Sequence, residues 1–157
     1  MNALVTYFSA SGVTEKVAKR LAGVLNAPIS EIVPVPRYTQ ADLNWMDKTS
    51  RSTLEMKDET CRPPMKHRDA PVAGADVVFV GFPIWWYREP SIVDTFLETY
   101  DFTGKTIVPF ATSGGSGLGK APERMASIAK TNVLSGRVFP ASVTEAALLA
   151  WVEGLGL

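Results

Sequence analysis

The amino-acid sequence predicts an α/β protein in which a parallel β-sheet is covered by helices on both faces. Three observations carry this expectation. Short β-branched and aromatic runs with abrupt ends recur at Leu4 to Phe8, Asp76 to Phe82 and Lys105 to Ala111, as buried parallel strands require. Amphipathic helical patterns alternate with them, and right-handed crossovers deposit such helices on both faces of one sheet. The length, 157 residues, suits a single domain that buries most of its surface without staples.

The first strand, Leu4 to Phe8, runs into the tight loop Ser9-Ala10-Ser11-Gly12. Val13, Val17, Leu21 and Val24 follow at helical spacing, with Glu15, Lys16, Lys19 and Arg20 on the other faces. A weaker strand at Ile29 to Val33 precedes Pro34 and Pro36. The polar stretch Arg37 to Ala75 predicts one modest helix around Ala41 to Met56, then an irregular loop through Pro63-Pro64. Helices are expected around Ser91 to Tyr100 and Gly119 to Ala129. A last strand near Arg137 to Ala141 leads to a helix from about Thr144 to Glu153, for which Ser142 and Glu145 make a capping box. No internal repeat or low-complexity tract competes with this order.

Composition narrows the partners. Sixteen basic and sixteen acidic side chains cancel, so no strong field draws the chain to nucleic acid or an anionic membrane. The longest apolar runs are far too short to span a bilayer. The amino end shows no basic leader or cleavage site, and the single cysteine, Cys61, has no partner for a disulfide and no cluster for a zinc site. A cytoplasmic setting and a small-molecule ligand are the expectation.

In an open parallel sheet, ligands bind beyond the carboxyl ends of the strands. Three loops stand there. Ser9 to Thr14 offers hydroxyls and a glycine at a helix amino end, where free N–H groups and the helix dipole favour a phosphate. It lacks the lysine and spacing of a triphosphate loop, which points to a monophosphate held by neutral donors. The alternative is that Ser11 or Thr14 simply caps the helix. In the second loop, Gly81 to Pro90, three consecutive aromatics (Trp85, Trp86, Tyr87) follow a strand where a polar turn is usual, which suggests a flat ligand; the alternative is that the tryptophans fill core volume. The third loop, Ala111 to Gly119, carries four glycines and lets backbone amides approach a ligand, or else is a flexible turn.

Two familiar patterns fail. Leu118 stands where a G-x-S-x-G nucleophile elbow needs glycine, and Lys120 stands where G-x-G-x-x-G needs its last one. No catalytic triad and no metal ligand set is expected. Arg88 and Glu89 read as solvated surface charge. Arg51 and Lys57 read as a solvated face, Tyr38 and Trp45 as packing over either the ligand or the core, and Cys61 as a bystander thiol.

Taken together, Tyr7-Phe8-Ser9-Ala10-Ser11-Gly12-Val13-Thr14, then Gly81-Phe82-Pro83-Ile84-Trp85-Trp86, then Pro109 to Gly117 resemble the flavodoxin-like family, in its compact branch with a tryptophan-rich second loop. The resemblance spans nearly the whole chain. It implies a three-layer, doubly wound, five-stranded parallel sheet in the order 2-1-3-4-5, residues 1–157 forming one domain, with flavin mononucleotide (FMN) across the switch point. It also implies that Ser9, Ser11, Gly12, Val13 and Thr14 bind the phosphate. Pro83, Ile84, Trp85, Trp86 and Tyr87 would line the isoalloxazine ring, and Thr112, Ser113, Gly114, Gly115 and Ser116 would close its other side. Val13 departs from the asparagine many members carry, the zero net charge departs from the acidity of electron-carrying flavodoxins, and no long insertion interrupts the fifth strand.

These readings lead to an FMN-binding redox protein. It would transfer single electrons to a redox partner protein, or take hydride from NADH or NADPH and reduce a small acceptor such as a quinone, working as a monomer or homodimer. Electron-rich walls and few nearby cations are expected to lower the flavin's potential. The alternative is a flavin-free doubly wound binding or regulatory module. A receiver-type phosphorylation domain needs acidic residues at the ends of its first and third strands, yet Met1 to Phe8 has none and Asp76 precedes its strand.

Overall fold

A computed structural model describes residues 1–157. Its elements run β1 (Ala3–Tyr7), α1 (Val13–Leu25), β2 (Ile29–Glu31), α2 (Arg51–Lys57), β3 (Val77–Pro83), α3 (Ser91–Thr99), β4 (Thr106–Thr112), α4 (Ala121–Ala129), β5 (Asn132–Val133), β6 (Arg137–Val138) and α5 (Glu145–Glu153). All strand pairs are parallel, in the order β2-β1-β3-β4-β5, with β6 also on β4. This is the expected doubly wound sheet.

Side-chain alternation along the strands builds two cores. Val5, Phe79, Val108 and Phe110 face α1 and α5, meeting Val17, Leu21, Leu148 and Trp151. Leu4, Val78, Val80 and Ile107 face the other way, toward Ile92 and Phe96 of α3 and Met125 of α4. Because the central strands are buried on both faces, they read in sequence as continuous apolar runs. No helix is long and apolar enough to cross a membrane.

The fifth strand position is divided. β5 pairs with Thr106 and Ile107, and β6 with Phe110 and Ala111. Between them Pro109 offers no N–H on the side that Leu134 N (to Ile107 O, 2.9 Å) and Phe139 N (to Ala111 O, 2.8 Å) face. Gly136, at φ 71°, crosses this gap so close that a Cβ would lie 2.3 Å from the Pro109 carbonyl oxygen. The predicted strand from Arg137 to Ala141 is therefore confined to two residues.

The predicted helix from Ala41 to Met56 is largely absent. Short polar side chains bind their own backbone through this stretch: Thr39 N donates to Asp42 Oδ2 (2.9 Å), Met46 N to Asn44 Oδ1 (3.2 Å) and Thr49 N to Asp47 Oδ1 (2.9 Å). Such local bonds compete with helix formation, so the helix begins only at Arg51, capped by Ser50. At the carboxyl end the cap of α5 is Thr144, whose hydroxyl accepts from Ala147 N at 3.1 Å; Ser142 lies outside that turn. The helix predicted from Gly119 starts at Ala121.

Candidate functional site

The rim of the sheet is stepped. β3 and β4 end level, with Pro83 opposite Thr112, whereas β1 ends at Tyr7, opposite Gly81. At a strand rise of about 3.3 Å per residue, the first loop starts some ~7 Å below the other two. An elongated ligand can lie across that step with one end low and the other on the high shoulder. Thr112 joins the three loops: its hydroxyl bonds Thr14 Oγ1 at 2.8 Å, and its carbonyl accepts from Ile84 N at 2.9 Å.

On the low side, Ser9 does the capping that Ser11 or Thr14 was a candidate for. Its hydroxyl accepts from Gly12 N (3.1 Å) and Glu15 N (3.2 Å). Gly12 precedes the helix without a side-chain cap, and the N–H groups of Ser11, Val13 and Thr14 meet no protein acceptor. Three amides at the positive end of a thirteen-residue helix form an anion cradle. The Thr14 side chain is buried and its hydroxyl engaged with Thr112, so its backbone amide is what it offers.

On the high side the aromatic triplet divides. Trp85 turns inward, edge-on to Phe8 (5.5 Å between ring centroids) and Tyr38 (5.3 Å). Trp86 and Tyr87 form the tip of a tight hairpin closed by Trp85 N to Arg88 O (3.0 Å) and Arg88 N to Trp85 O (3.2 Å). Both tip residues are left-handed, at φ 49° and 63°, as a type I′ turn demands and as glycine or asparagine usually supplies. Nothing in their identity announces that turn. Their side chains are 44% and 70% exposed.

A cleft of about 480 Å³ opens beside the hairpin, lined by Ile84, Trp85, Trp86, Tyr87 and Ser116, and on its outer wall by Leu43, Trp45 and Ser52. No charged group lines it. Ser113 bonds Ser116 (3.1 Å between hydroxyls) and caps Gly115 N (3.0 Å), which shapes the third loop. Of the sequence candidates, Ile84, Trp85, Trp86, Tyr87 and Ser116 meet in the cleft, together with Trp45. Ser9 to Thr14 lie on the first loop, Pro83 and Thr112 end β3 and β4, and Ser113, Gly114 and Gly115 belong to the third loop; none of these lines the cleft. Trp45, expected over either the ligand or the core, stands on the cleft wall, whereas Leu43 and Ser52 beside it were not singled out. Trp45 is 70% exposed.

Arg51 does not project into solvent as expected. It pairs with Glu55 (2.9 Å), donates to Pro36 O (2.6 Å) and stacks on Tyr38 at 4.0 Å. Tyr38 itself hydrogen-bonds Glu55, and burial pushes its hydroxyl well above the ordinary phenol range. Burial likewise pushes the Cys61 thiol up, which favours its protonated form. The largest correction concerns Arg88 and Glu89, which are 4% and 0% exposed; α3, α4 and the Arg37 to Ala75 excursion close over them.

The family model described as flavodoxin matches residues 2–155. The chain belongs to the flavodoxin family. Its fold matches crystal structures of two proposed flavoproteins. For the one from Bacteroides eggerthii, identity is 39% with a TM-score of 0.93, covering 99% of this chain and 98% of that one. For the one from Bacteroides uniformis, identity is 39% with a TM-score of 0.91, covering 97% of each chain. A flavoprotein from Lactobacillus acidophilus in complex with FMN shares the fold at 19% identity and a TM-score of 0.65, covering 87% of this chain and 91% of that one. Among curated proteins none matches. Within this flavodoxin, Arg124 is held by Glu89 and Asp94, and Arg88 stands 3.7 Å from Asp94.

Proposed function

We propose that this flavodoxin binds FMN and uses it to reduce a small, flat, uncharged acceptor. The observation that carries the reading is the pairing of an amide cradle on the low rim with an uncharged aromatic cleft on the high rim. Ser11, Val13 and Thr14 would hold the phosphate through their N–H groups, as neutral donors suit a monophosphate. Ile84 to Tyr87 and Ser116 would hold the ring, the indole of Trp86 by stacking and the hairpin by main-chain bonds. When bound, the flavin supplies electron and hydride chemistry, while the protein sets what reaches it. Trp45 and Leu43 form a wall that excludes water and admits a planar apolar molecule such as a quinone, with NADH or NADPH as the hydride source.

A second reading, electron transfer to a redox partner protein, draws on Trp45 and Tyr87, which line the cleft and are each 70% exposed, and on the exposed Met46 next to Trp45 in sequence. Such docking would be apolar, in keeping with the zero net charge. A flavin-free module is the remaining alternative.

Titration of the protein into FMN tests the cofactor, and anaerobic mixing of the loaded protein with NADH or NADPH tests the reaction. The reading expects quenched flavin fluorescence, weakened in Trp86→Ala, and flavin bleaching by one nicotinamide. Bleaching only by a partner protein supports the carrier. A protein that leaves FMN fluorescence unchanged overturns both.

A further inference from the structure

Beneath the aromatic hairpin lies a buried charge cluster that ties the second ligand loop to the third. Glu89, just after the hairpin, and Asp94, in the first turn of α3, are both fully buried. Arg124 reaches them from α4. Its Nε donates to Glu89 Oε1 at 2.8 Å and its Nη2 to Asp94 Oδ2 at 2.8 Å. It also donates to Glu59 O at 3.4 Å and stands 3.5 Å from the Glu59 carboxylate, in the excursion. Arg88 lies 3.7 Å from Asp94 and donates to Met56 O (3.0 Å), at the end of α2. Arg62 stands 3.6 Å from Asp94 and 2.9 Å from Glu98.

A buried ion network of this kind contributes little net stability, since well-packed apolar groups do as well or better. What a rigid, forked guanidinium supplies is geometry. Here the geometry governs the cleft. Arg124 N donates to Lys120 O (3.1 Å), and Lys120 N donates to Tyr87 O (3.0 Å). Gly119, at φ 56°, lies so close to that carbonyl that a Cβ would be 2.1 Å away. The first turn of α4 thus grips the hairpin at one of its two left-handed, non-glycine residues, a conformation that persists only when its surroundings over-determine it.

We propose that Arg124 is a positioning residue for the cleft: clamped between Glu89 and Asp94, it fixes the start of α4 against the Trp85–Arg88 hairpin and so sets affinity for the planar ring. This rests on reading the cleft as the flavin ring site. Arg124 touches neither cleft nor ligand; it acts through Lys120 N and Tyr87 O.

The test compares wild type with Arg124→Lys, which keeps the charge but cannot fork, and with Arg124→Met/Glu89→Gln/Asp94→Asn, which removes Arg124 with its two buried carboxylates and leaves Arg88 and Arg62 in place. Riboflavin and FMN dissociation constants, thermal unfolding and amide exchange at Lys120 are measured for each. Both variants are expected to fold. Riboflavin should bind about tenfold more weakly, with FMN weakened by the same factor because the phosphate cradle is untouched. Faster exchange at Lys120 should accompany the loss. Riboflavin affinity within about twofold of wild type in a folded variant overturns the inference, as does a loss confined to the phosphate contribution. Wild-type protein that binds neither flavin defeats the underlying reading itself.

Discussion

Replacing Glu89 with glutamine should flatten the pH dependence of stability on the alkaline side. Glu89 and Asp94 are buried together, and desolvation raises both carboxyls, Glu89 to about 8 with the Asp94 charge adding to the rise, and Asp94 to about 6. Arg124 opposes this in each case without reversing it. One oxygen of each, Glu89 Oε2 and Asp94 Oδ1, has no hydrogen-bond partner, as befits a pair that retains a proton. An acid raised by folding is protonated in the native chain while already ionised in the unfolded one, so stability falls as pH climbs from the unfolded value to the folded one. Each pH unit in that window costs about 1.4 kcal/mol per group. Between pH 6 and 8 Glu89 alone contributes, so wild type should lose on the order of 2 to 3 kcal/mol there. Glu89→Gln keeps an acceptor for Arg124 and removes the titration. Asp47, Asp58 and Asp101 shift the opposite way, lowered by bonds from Thr49, Thr60 and Thr103; their stabilisation is present above the ordinary carboxylate range and lost only in acid, outside this window. Urea unfolding at pH 6, 7 and 8 decides the matter. The wild-type curve should slope downward and converge on a nearly level variant curve toward acid. Parallel curves, or wild type gaining stability toward pH 8, would refute the reasoning.

Two further substitutions probe the loops. Gly119→Ala should displace the hairpin, because the new methyl would lie 2.1 Å from Tyr87 O at a left-handed φ; a loss exceeding about 1 kcal/mol in urea unfolding, with weaker riboflavin binding, is expected. Ser9→Ala removes the acceptor for two helix amides and should lower stability by about 1 kcal/mol in thermal denaturation, leaving riboflavin affinity unchanged.

The fold was legible because its signals were local and repeated. Leu4 to Phe8, Asp76 to Phe82 and Lys105 to Ala111 could be read as buried strands from composition alone, and glycine, serine and proline marked where each ended. Five residues of the cleft were legible for the same reason: Ile84 to Tyr87 and Ser116 follow directly on strands. What stayed hidden depended on distant partners. The stretch from Ala41 to Met56 has helical spacing, but Thr39, Asn44 and Asp47 bind their own backbone first. Leu43 and Ser52 reach the cleft only because the excursion folds back over the rim, held by Ser91 Oγ to Glu55 O (3.3 Å) and Thr95 Oγ1 to Pro63 O (2.8 Å). Arg88 and Glu89 look like surface because charge usually is; Arg124, 35 residues beyond Glu89 in the chain, is what makes their burial tolerable.

The places where local rules fail are adjacent in space. Trp86 and Tyr87 occupy backbone regions that suit glycine, each at a cost of about 1 to 2 kcal/mol, and beyond the hairpin two carboxyl groups are fully buried against the partly exposed Arg124. Neither feature serves the sheet, which is closed by apolar packing on both faces. Both serve the hairpin. Its tip carbonyl is gripped by Lys120 N, its base is tied to Met56 O by Arg88, and its flank is tied to α4 through Glu89 and Arg124. A loop held from three elements cannot relax when the cleft is solvated, so little ordering cost remains when a ring enters it. On the proposed reading of the cleft as the ring site, binding energy that would otherwise order the loop would be available to hold the ligand.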